Sequence, residues 1–132
     1  MGSAVPIDEL IRQTKPHLLV LEVCAETVGT NAMPPRARVR IVEVLYGALA
    51  ATEGEAVFAP DHQASWYAIR DGGDEGLARW NAQPCPSPAT GTRVIVAADL
   101  QADGALAVWA RSVRPDDEHE RTRIRALLGG DQ

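Results

Sequence analysis

Alternation of apolar and polar residues is strongest between Arg36 and Tyr46. Arg36, Arg38 and Arg40 share one parity and Ala37, Val39 and Ile41 the other, the period of two of a strand with one wet and one buried face. Beyond Ile41 the parity slips: Val42, Val44 and Tyr46 form one set, and Glu43 and Leu45 the other. A slip of this kind predicts a bulge near Ile41 and Val42, where a strand bends from one part of a barrel to another.

The remaining pattern predicts further strands. His17 to Val28 is apolar on both faces at first and half-exposed later, with Leu19, Leu21 and Val23 opposite Leu18, Val20, Glu22 and Cys24. Gly29 to Pro35 reads as the loop joining it, antiparallel, to the arginine-rich strand. Ala48 to Thr52 reads as one helical turn, and Glu55 to Ala59 as a strand that Pro60 ends. Arg93 to Leu100 alternates again, Asp99 to Gly104 supplies turn chemistry, and Ala105 to Val113 is predicted as the hairpin partner. Trp109 falls on that strand, at the core or the barrel rim.

Helical spacing occurs near both ends. Ile7, Leu10, Ile11 and Thr14 follow Pro6 and stop at Pro16, a short helix suited to covering an open barrel end. From Asp116 a second helix is predicted, with Asp117 and Glu120 as a capping box, Gly129 as its C-terminal cap, and Ile124, Leu127 and Leu128 as its apolar seam. The fold class is thus mainly β: a small closed barrel of five or six strands with a short N-terminal helix and a C-terminal helix.

One segment resists this reading. Asp61 to Thr92 holds Trp66, Tyr67, Trp80, a Gly72-Gly73 turn and the run from Pro84 to Pro88, without strong periodicity beyond one short strand expected within Ala64 to Ile69. It reads as a long insertion loop, and loops above about 12 to 15 residues tend to be functional or mobile.

Composition narrows the classes. At 132 residues the chain reads as one domain able to bury a core without disulfides; residues 1–5 read as flexible or as a vector remnant. A net charge of −5 disfavours general affinity for nucleic acid or anionic membrane. There is no run of apolar residues long enough for a span and no basic region leading an apolar core, so the chain as written reads as cytoplasmic; a secreted or periplasmic form requires a leader removed before Met1. Cys24 and Cys85 read first as free buried thiols in a reducing compartment, with a Cys24–Cys85 disulfide as the alternative.

Candidate chemistry is sparse. His17, His62 and His119 come from distant segments without ligand spacing, so neither metal nor cofactor is expected. Ser65 and Ser87 lack a nucleophile elbow. Asp71, Asp74 and Glu75 beside Gly72 and Gly73 read as a solvated turn. An enzyme would require Asp61, His62 and Cys85 to converge in one cleft. Arg36, Arg38 and Arg40 offer a weak contact for an anion or acidic partner, and read first as a wet strand face.

Several segments carry a resemblance: Glu9-Leu10-Ile11, Leu18 to Val23, Val39 to Gly47, Gly91 to Val96, and Asp103-Gly104. Together with the strand order, the glycine after the bent strand and the closing helix, they resemble OB-fold proteins, and more narrowly netrin-like modules and tissue inhibitors of metalloproteinases; the pattern recurs in small bacterial proteins of that barrel type. In those inhibitors the resemblance implies an N-terminal, disulfide-tethered cysteine on the target's zinc. Met1 to Pro6 holds no cysteine and the disulfide framework is absent, so no inhibitor residue carries over.

The sequence therefore points to a non-catalytic protein-interaction module, with Trp66, Tyr67 and Trp80 as contacts. The alternatives are an inhibitor or immunity-type protein that neutralises an enzyme, and an oligonucleotide-binding barrel.

Overall fold

A computed structural model describes residues 17–61 and 63–129. The strands are β1 (His17–Ala25), β2 (Val28–Thr30), β3 (Arg36–Tyr46), β4 (Glu53–Phe58), β5 (Pro84–Pro86), β6 (Arg93–Leu100), β7 (Leu106–Val108) and β8 (Arg114–Pro115). The helices are α1 (Gln63–Ala82) and α2 (Glu118–Gly129). The predicted helix around Ile7 to Thr14 lies outside the described residues.

Five strands close on themselves in the order β1-β3-β4-β7-β6, with β6 returning to β1. All neighbours are antiparallel except β4 and β7, which run parallel. Side chains from every strand fill the interior: Leu19, Leu21 and Val23 meet Val39, Phe58, Val94, Val96 and Val108.

The bulge predicted near Ile41 is present. Val20 faces Glu43 and Leu21 faces Ile41, so Val42 is the extra residue. Leu18 faces Tyr46 and Leu19 faces Val44, which makes Leu45 a second one. Each bulge reverses the side-chain parity. The predicted set Val42, Val44 and Tyr46 is therefore divided, with Val44 packed on the barrel interior and Val42 and Leu45 on its outside.

That outside face explains why β1 is apolar on both sides. Leu18, Val20, Ile95 and Ala97 form a second cluster beneath α2, which contributes Ile124 and Leu128. Leu127, predicted to belong to the seam, is 41% exposed. Asp117 caps α2 by accepting the His119 N–H at 2.9 Å. Glu120 does not complete a capping box; its carboxylate pairs with Arg114 at 3.3 Å.

Three further expectations are corrected. Ala48 to Thr52 forms no helical turn. The partner strand of β6 is confined to Leu106–Val108 instead of running to Val113, because the chain leaves the sheet at Trp109 and turns. It returns as β8 on Val94 and Ile95. Buried Ser112 fills the gap: its hydroxyl accepts the Ala97 N–H at 2.9 Å, in the place a backbone carbonyl would take. Finally, Asp61 to Thr92 is not an irregular loop and contains no strand at Ala64 to Ile69, since α1 occupies most of it.

Candidate functional site

Asp61 opens α1, its carboxylate accepting the Gln63 N–H at 3.0 Å, the usual satisfaction of an orphan donor at a helix start. Helical geometry then breaks at Gly73 (φ 60°, ψ −144°), a conformation that costs an L side chain strain. There the chain doubles back. A Cβ on Gly76 would collide with the Ala68 carbonyl oxygen, and one on Gly72 would lie 2.9 Å from the Arg79 guanidinium. Two arms, 63–72 and 74–82, therefore pack backbone to backbone, an approach only glycine permits.

The second arm is held to the barrel by its end. Asn31 donates from its side chain to the Trp80 carbonyl at 2.7 Å. The Asn31 and Ala32 N–H groups donate to the carbonyls of Gln83 and Asn81, each at 3.1 Å. These bonds occupy carbonyls that a helix C-terminus leaves without partners. Next to them β2 and β5 form a short ribbon in which Val28 faces Pro86 and Thr30 faces Pro84. Prolines fit there because an edge strand need not donate.

The first arm has an uncovered face. At about 100° per residue, Ile69, Trp66, Arg70 and Tyr67 span an arc of roughly 160°, turned away from Ala68 and Gly72, which meet the second arm. Trp66 is 77% exposed, Tyr67 50% and Ile69 46%. The Arg70 guanidinium lies 4.8 Å above the Tyr67 ring, a cation–π contact that orders both side chains. Trp80 is placed differently: it is half-buried on the second arm and lines the cleft between the arms with Asp71, Arg79 and Gln83. Trp66 and Tyr67 thus share one surface, and Trp80 faces another.

The arginine stripe on β3 is largely neutralised. Arg36 pairs with Asp103 at 3.3 Å and Glu55 at 3.6 Å, and Arg40 pairs with Glu22. Hydrogen bonding to Arg40 holds the Glu22 carboxyl below its ordinary value. Arg38 has no ion-pair partner among the described residues and borders a shallow depression with Glu53, Glu55 and exposed Cys24. Two carboxylates beside one guanidinium make a poor anion site.

The His17 ring meets the Ala48 carbonyl at 3.1 Å, His119 sits in the first turn of α2, and His62 lies outside the described residues. No group of three or more His, Cys, Asp or Glu gathers among the described residues in a way that would hold a metal. Asp61 acts as a helix cap, and Cys85 directs its thiol at the Phe58 carbonyl.

No protein-family model, curated protein or solved structure matches the chain. The functional reading rests on the chain's own geometry. Among the described residues no helix is long and apolar enough to cross a membrane.

Proposed function

We propose that this protein is a non-catalytic interaction module: an OB-like barrel that displays a helical hairpin for a protein partner. The five-stranded ring with one parallel pair, and a helical insert between β4 and β6, supports the OB-like reading. The segments resembling netrin-like modules supply strands β1, β3 and β6.

The observation that carries the functional reading is the outward face of the first arm. A tryptophan, a tyrosine and an isoleucine stand together in water on a hairpin braced at its far end. Large rigid aromatics lose little entropy on binding and anchor interfaces. An enzyme neutralised by the module is one form such a partner can take. Oligonucleotide binding is the weaker reading, because the acids beside Arg36 and Arg40 already neutralise them.

The test is affinity capture from the source cell with the parent protein and with a Trp66→Ala/Tyr67→Ala variant. A protein retained by the parent and lost by the variant supports the reading. Equal retention by two proteins with matching melting curves would remove it.

A further inference from the structure

The parallel pairing of β4 and β7 ends where Phe58 faces Val108. Beyond that pair, next to Ala59 and Ala110, lies an open recess of about 320 Å³. Core side chains Phe58, Val108 and Val113 form one side, and Ala59, Ala110 and residues 85–88 the other. Phe58 and Val108 are only 6% and 4% exposed, so core side chains form the floor of a recess that is open to solvent.

Its lining has little capacity for polar ligands. Among the described residues no charged side chain lines it. The Ser87 hydroxyl is committed, accepting the Thr27 N–H at 3.0 Å and donating to the Pro88 carbonyl at 2.9 Å. The Cys85 thiol is directed at the Phe58 carbonyl at 3.7 Å. Pro86 and Pro88 have no N–H to offer. Burial pushes the Cys85 thiol above its ordinary pKa, as an apolar surrounding should.

We propose that this recess binds a small uncharged apolar molecule, about the size of one aromatic ring bearing a short alkyl chain. Small-molecule pockets begin at roughly 300 Å³, about the size of this recess. A charged group laid against this apolar floor would lose part of its water and find no charged partner among the described lining residues. Trp66, Tyr67 and Trp80 do not line the recess, so the inference stands independently of the hairpin.

The probe is isobutylbenzene, with benzoate and benzylammonium as charged counterparts, titrated into methyl-labelled protein. Saturable shifts at the Val108 and Val113 methyls are expected with isobutylbenzene alone. Ala110→Phe fills the recess and should weaken binding at least tenfold, with Ala59→Leu as a second filling variant should the first fail to fold. In a Cys24→Ser background, isobutylbenzene should also slow alkylation of Cys85 by N-ethylmaleimide. Shifts that never saturate, benzoate binding as tightly as isobutylbenzene, unchanged affinity in a folded filling variant, or unslowed alkylation would each overturn the proposal.

Discussion

The Ala68 carbonyl oxygen occupies the space that a Cβ on Gly76 would need. In one continuous helix these residues would lie roughly 12 Å apart, so their contact measures how tightly α1 folds back on itself. Gly76→Val is expected to force the arms apart at a cost of about 1–3 kcal/mol to the hairpin. Loss of helical circular dichroism at a temperature where the barrel persists is the measurement that checks it.

The exposed face makes the opposite prediction. Trp66→Ala and Tyr67→Ala remove side chains that stand largely in water, and such changes usually fall within about 0.5 kcal/mol. Chemical denaturation of the double variant should give the parent's midpoint. A large loss would mean that these rings pack on the fold.

Ser112 supplies a bond that the strand ladder omits. Ser112→Ala leaves the Ala97 N–H buried without its acceptor, and an unsatisfied buried group costs about 1–3 kcal/mol. Ser112→Thr keeps the hydroxyl but adds a methyl to a closed site. The alanine variant should melt early and show faster exchange of the Ala97 amide.

α2 is held by apolar contact and by charge together. Ile124, fully buried, should cost about 2–5 kcal/mol on replacement by alanine. Arg121 binds Asp116 through two bonds of 2.6 and 2.5 Å and reaches Glu43 at 3.1 Å. The bonds from Arg121 hold Asp116 below the ordinary aspartate pKa. A carboxyl depressed in the folded state contributes stability above its unfolded pKa of about 3.9 and loses it as the pH falls toward the folded value. Acid should therefore loosen α2 below about pH 4, and Asp116→Asn should flatten that part of the pH profile. An unchanged profile would assign the acid sensitivity to other pairs, such as Glu22 with Arg40.

These elements show what the sequence discloses and what it hides. The bulge at Val42 was legible because a strand's period is two, and one extra residue shifts every later side chain to the opposite face. The two-sided apolar character of β1 was legible too, although the layer over its outer face proved to be α2. The hairpin was not. Its arms meet through Ala68, Gly72 and Gly76, small residues that leave no hydrophobic period, and Gly72-Gly73 reads as a turn in a loop just as readily as a turn between helices. The ribbon of β2 and β5 was hidden by its prolines, and the end of β7 by a turn that only Ser112 and its partner Ala97 make intelligible. Of the proposed contacts, aromatic content singled out Trp66, Tyr67 and Trp80 alike, whereas only the helical arrangement separates the outward pair from the third.

The central claim is that a partner docks on the outer face of the first arm. Amide hydrogen exchange on the captured complex tests it most directly. Protection should concentrate in residues 63–72 and leave Arg36 to Arg40 unchanged. Protection along that β3 stripe, with the arm exchanging as in the free protein, would contradict it.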